Sequence, residues 1–124
     1  MTKKSVITST QLSEHALEAI DEVKGKEVLS IDLRKIPNSV SDYFIICHGT
    51  SDTHVKAIAR SVEKHLYLEI GENPLNKEGT DKADWILLDY FNVVVHIFKE
   101  EARRFYNLEK LWADADVKEL EHTF

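Results

Sequence analysis

Cysteine, glycine, proline and long apolar runs are all scarce in this chain, and each scarcity excludes something. The one cysteine, Cys47, rules out an internal disulfide and a cysteine-rich metal cage, and points to a reducing interior such as the bacterial cytoplasm or an equivalent organelle compartment. The four glycines, at 25, 49, 71 and 79, are too scattered for the phosphate-cradling loops of dinucleotide or P-loop proteins. Two prolines and the absence of any Gly/Ser-rich stretch leave no interdomain linker. The apolar runs Tyr43–Cys47, Trp85–Leu88 and Val93–Val95 fall far short of the ~20 residues that cross a bilayer. The opening Met-Thr-Lys-Lys-Ser runs on into polar residues rather than a signal-peptide core, so no membrane association is expected.

Basic residues are outnumbered as well. Sixteen Lys/Arg stand against 22 Asp/Glu, a net charge of −6. Such a chain gains nothing overall from a polyanion, so no sequence-specific or indiscriminate nucleic-acid binding is expected, and a basic protein partner suits it better. What is present is an ordinary folding sequence: 124 residues, 43% of them hydrophobic. That length buries about two-thirds of its unfolded surface, enough for one domain without staples.

The spacing of Leu12, Ala16, Ala19/Ile20 and Val23 predicts a helix over residues 10–24, with Ser9 or Thr10 as its cap and Gly25 at its end. Glu27–Leu33 alternates like a strand, and Pro37-Asn38-Ser39 breaks it. Tyr43–Cys47 reads as a central strand covered on both faces. Val55, Ile58, Ala59, Val62 and Leu66 form the stripe of a second helix that ends at Gly71. Trp85–Asp89 and Val93–Phe98 form a hairpin, and Lys99–Tyr106 a short helix. The order α-β-β-α-β-β-α implies a mixed α/β sheet with helices against it. Residues 1–9 are expected to be an N-terminal segment, 10–113 the domain, and 114–124 an acidic tail that frays beyond Ala115.

Visible catalytic machinery is missing. Gly49, Thr50, Ser51 and His54 form a candidate anion site, where a strand ends and hydroxyls precede a helix N-terminus; the plainer role of Thr50 or Ser51 is to cap that helix. A transferase built on such a turn holds two metal ions with carboxylates at i and i+2 of a strand. The one Asp-x-Asp, Asp114-Ala115-Asp116, is in the tail, and Asp84 and Asp89 point to opposite faces of a regular strand. Cys47 and His48 likewise face apart, so they make no nucleophile pair. His48 and His54 flank the turn without a third ligand nearby, and His96 reads as a structural histidine; no metal and no cofactor are expected.

The turn Asp89-Tyr90-Phe91-Asn92 is unusually apolar for a hairpin. Asn92 is the residue suited to a left-handed conformation, which leaves Tyr90 or Phe91 at least partly exposed, unless both rings fold back on the sheet. Exposed aromatics beside Asp89 suit an interface with a basic protein. Trp85 shares a strand face with Leu87 and Asp89, and both it and Trp112 serve either as anchors or as contacts. Arg103-Arg104 is too short a basic run for an RNA surface.

Ser41–Ser51, followed by His54-Val55-Lys56-Ala57-Ile58-Ala59, resembles the front half of the ribosomal silencing factor, or Iojap-like, family. Glu78-Gly79, Trp85–Tyr90, Val93–Phe98 and Arg103–Trp112 are similar to its rear signature. The chain departs from the family pattern in carrying Phe91-Asn92 where Gly-Asp is usual, and Thr53 where Arg precedes the histidine. The resemblance implies a nucleotidyltransferase-like fold lacking the catalytic carboxylates, no enzymatic activity, and binding to universal ribosomal protein fourteen of the large ribosomal subunit. Occupancy there obstructs the small subunit and lowers translation when nutrients are scarce. Carried onto this chain, the contacts implied are Trp85, Leu87, Asp89, Tyr90 and Phe91, with Tyr106, Glu109 and Trp112 as support or rim. A homodimer of the free protein through the same apolar hairpin is a further expectation. The alternative is a nucleotide-binding or nucleotidyltransferase-type enzyme using the Gly49–His54 turn.

Overall fold

The computed structural model describes residues 7–112 and 115–120, with the side chain of residue 112 outside the description. Helix α1 spans Ser9–Glu22 and buries Leu12, Ala16, Ala19 and Ile20. Its cap is Thr8, one residue ahead of the expected pair. Thr8 accepts the Gln11 N–H and Gln11 reaches back to the Thr8 N–H, so two otherwise unpaired amides are satisfied together. At the other end Lys24, rather than Gly25, adopts the left-handed conformation (φ +59°).

Strand β1 (Lys26–Asp32) pairs antiparallel with β2 (Tyr43–Gly49), after an irregularity between Lys26 and Leu29. Helix α2 (Asp52–Ile70) follows; Ser51 caps its start, and Gly71 ends it at φ +69°, where a side chain would be strained although space is open. Strand β3 (Asn76–Glu78) leads to β4 (Trp85–Asp89) and β5 (Val93–Lys99), then α3 (Glu100–Tyr106), a 3-10 helix (Leu108–Trp112) and β6 (Asp116–Glu119). The six strands lie in the order β3-β4-β5-β2-β1-β6, and only β2 and β5 run parallel. The mixed α/β expectation holds, with two strands more than the sequence reading provided. One is β3. The other is β6, which pairs with β1 through Leu29–Asp32 in the stretch expected to fray.

The sheet has unlike faces. One carries α1 and α2 over a core that includes Ile45, Val55, Ile58, Val62, Leu66, Ile86, Leu88, Val95 and Ile97. Cys47 belongs to that core, and burial pushes its thiol up to about 12, so it is no nucleophile at neutral pH. The opposite face holds a smaller cluster, Ile31, Leu33, Ile46 and Phe98, with α3 and the 3-10 helix contributing Ala102 and Leu108. No helix among the described residues is long and apolar enough to cross a membrane.

Candidate functional site: the second face of the sheet

Alternation along β4 sends Ile86 and Leu88 into the core and leaves Trp85, Leu87 and Asp89 half-exposed on the other face, the face-sharing expected from sequence. Register brings Phe98, His96 and Val94 of β5 beside them, and Phe44 and Ile46 of β2 beyond. Trp85 is the hub. Its ring stacks on Phe98 and meets Tyr106 at centroid distances of 4.8 Å, while its indole N–H donates to His96 Nδ1 at 3.1 Å. That bond fixes the tautomer: His96 keeps its proton on Nε2, which is buried without a partner. Desolvation pushes His96 down to about 4, so it is neutral in this face at physiological pH. Around this buried centre Tyr106 and Phe105 are 52% and 81% exposed, and their rings meet edge to face. The result is a run of aromatic rings in mutual contact, from buried Phe98 through half-exposed Trp85 to exposed Tyr106 and Phe105.

The hairpin corrects two expectations. Phe91, not Asn92, holds the left-handed conformation (φ +73°), in a tight turn closed by the Asn92 N–H on the Tyr90 carbonyl at 2.9 Å. The Phe91 N–H donates to Asp89 Oδ1 at 2.7 Å, and its ring is 65% exposed. Tyr90 continues the strand alternation and points into the helix-covered core, only 5% exposed, with its hydroxyl unpartnered. It is therefore removed from the exposed set and supports the hairpin from beneath.

Glu109 also turns inward. Its Oε2 lies 3.3 Å from Nε of Arg103, an arginine 2% exposed that further donates to the Lys26 carbonyl and, at 2.9 Å, to His48 Nδ1. Desolvation and then the guanidinium hold His48 below the usual histidine value. This inner ion pair ties α3 and the 3-10 helix to β1 and β2, so Glu109 and Arg103 brace the aromatic surface rather than rim it. The backbone of residue 112 closes the 3-10 helix, and the Trp112 side chain lies outside the described residues.

At the turn after β2 the structure uses the candidate anion-site residues for anchoring. His54 Nε2–H donates to the Val23 carbonyl at 2.8 Å, its Nδ1 accepts the Thr50 N–H at 2.9 Å, and its own N–H donates to Ser51 Oγ at 3.1 Å. A Cβ on Gly49 would come within 2.9 Å of the Val55 nitrogen, so glycine is needed for the helix to start there. Asp52 adds a carboxylate to the first turn, bridged to Lys99 at 2.8 Å, which opposes an anion. Helix capping accounts for Gly49, Thr50, Ser51 and His54 together.

The comparisons with known proteins agree with this architecture. Residues 6–123 match the family model described as ribosomal silencing factor during starvation. This chain belongs to the ribosomal silencing factor family. It is 43% identical over 106 residues to the ribosomal silencing factor of Bacillus subtilis, covering 86% of this chain and 88% of the relative. It is 39% identical over 115 residues to that of Halalkalibacterium halodurans, covering 93% and 97%. A crystal structure of a protein from Chromobacterium violaceum superposes with a TM-score of 0.81 at 31% identity, covering 95% of this chain and 92% of that one. Sequence reasoning about this silencing factor family member missed Phe44 and Phe105 as parts of this face and Val94 and His96 as its buried support, because they join β4 only through strand register and the α3 connection.

Proposed function

We propose that this chain silences translation by occupying the large ribosomal subunit, with the Trp85–Leu87–Asp89 face seated on universal ribosomal protein fourteen. The bound factor stands where the small subunit must dock, so it acts by obstruction, without catalysis, in the bacterial cytoplasm or an equivalent organelle compartment. The observation that carries this reading is the half-exposed aromatic face beside acidic Asp89 on a sheet whose other face carries α1 and α2 over the main core. An acidic molecule presenting such a face suits a basic ribosomal protein, with aromatic anchors providing affinity and charge providing orientation. In the free protein the same face pairs with a second copy, and that pair opens on binding; light scattering of the chain with and without large subunits checks it.

The direct test is co-sedimentation with purified large subunits, followed by a subunit-joining assay. Leu87→Arg is expected to keep the fold, since Leu87 lies on the half-exposed side of β4, and to weaken binding about 10-fold or more. Asp89→Asn retains the acceptor for the Phe91 N–H and removes only charge; it is expected to leave stability nearly unchanged and reduce the salt dependence of binding. Unhindered joining at saturating wild-type protein would overturn the proposal.

A further inference from the structure

On the far side of the molecule, α1 and α2 carry a cluster that the docking face does not use. His15, Glu18 and Glu22 recur at i, i+3 and i+7, which places them along one stripe of α1. His65 of α2 faces that stripe. Its side chain is 17% exposed, set between the helices beside the bond from Ser61 Oγ to the Ala19 carbonyl at 2.8 Å. His15 Nδ1 and His65 Nε2 stand 3.2 Å apart, and Glu18 Oε1 lies 3.6 Å from the first and 3.9 Å from the second.

Those three separations are the edges of a coordination triangle. The point equidistant from all three atoms lies about 2.1 Å from each, the bond length zinc takes with imidazole nitrogen and carboxylate oxygen. The remaining ring nitrogen of His65, Nδ1, has the Glu22 carboxylate 3.9 Å away, beyond hydrogen-bond distance but near enough for a side-chain rotation to make it the outer partner that orients an imidazole ligand. Two imidazoles with one carboxylate suit a borderline transition metal far better than magnesium or calcium. A second convergence of such groups, Glu27, His48 and Glu100, lacks this property. There the Arg103 guanidinium already occupies His48 Nδ1, and Arg104 bridges both carboxylates at 2.8 and 3.2 Å, so positive charge fills the space.

We propose that His15, Glu18 and His65 form a binding site for a divalent transition-metal ion, zinc by ligand type, that pins α1 to α2. Water takes the fourth position, and the ion moves out of the plane of the three protein ligands toward it to reach tetrahedral geometry. Because the site joins two helices on the covered face, occupancy acts on the stability of the sheet's support and leaves the aromatic face unobstructed.

Calorimetric titration of the full chain, free of any polyhistidine tag, with zinc chloride tests this. One equivalent is expected to bind, and the melting temperature is expected to rise with the logarithm of free zinc, while magnesium does neither. His15→Gln and His65→Gln should each abolish binding, and Glu22→Gln should weaken it about 10-fold. In the wild-type chain zinc should shift the imidazole NMR signals of His15 and His65 and leave those of the other four histidines in place. No heat of binding, a zinc response that survives in the two histidine variants, or signal shifts at other histidines would each overturn the proposal.

Discussion

His96 sits beneath Trp85 with one ring nitrogen bonded and the other buried without a partner, so protonating it in the fold means charging a desolvated ring. Its folded value is about 4, below the ordinary histidine value near 6.5 of the unfolded chain. Between those values the unfolded state binds more protons. Stability is therefore full above about pH 6.5, declines as pH falls toward about 4, and loses at most about 3 kcal/mol through this group. His48, depressed in the same direction, adds to the slope. His96→Gln keeps an acceptor for the indole and is expected to flatten the thermal stability profile across that window, read by melting at successive pH values. Phe91 offers a second single-residue test. A bulky residue at φ +73° costs about 1–2 kcal/mol that glycine avoids, while glycine loses about 0.5–1 kcal/mol in chain entropy. Phe91→Gly is expected to leave the melting temperature equal or higher while weakening attachment to large subunits, because the exposed ring is gone. Intrinsic preference alone points to Asn92 as the left-handed residue; the Asp89 side chain on the Phe91 N–H is a local bond that outweighs it. Tyr90 was legible in principle, since continuing the two-residue alternation past Asp89 sends it inward.

Elements whose side chains are sorted by burial were readable from sequence, and those without such sorting were not. Helices α1 and α2 and strands β1 and β4 bury apolar residues with a period, β2 and β5 are apolar runs buried almost throughout, and all six are legible within a few residues of their ends. Strands β3 and β6 consist of exposed residues only, Asn76-Lys77-Glu78 and Asp116-Val117-Lys118-Glu119, so no hydrophobic pattern marks them. They are edge strands, and charged, short edges are how sheets avoid pairing with other molecules. Ending the chain after Ala115 would uncover β1 along Leu29–Asp32 and remove the bond from Leu120 N–H to the Val28 carbonyl. The expected result is a modest loss of about 1–2 kcal/mol in denaturant unfolding, given how little apolar area β6 buries, with increased self-association in light scattering.

At the scale of the whole molecule, the proposed function divides the two faces of one sheet between holding the fold and meeting a partner. The proposed docking face is legible where its residues are contiguous, in Trp85–Asp89 and the hairpin, and at Tyr106 through the family resemblance. The rest depends on pairing β2 with β5 across some 50 residues of intervening chain, which no local pattern encodes. That same pairing has a mechanical consequence. Strands from before and after the exposed Gly71–Leu75 connection interleave, with β1 and β2 held between β5 and β6. A protease that nicks this connection would produce two fragments clasped like folded fingers, neither able to leave without unzipping two ladders at once. Such a cut chain is expected to migrate as one particle on size exclusion and to separate only in denaturant.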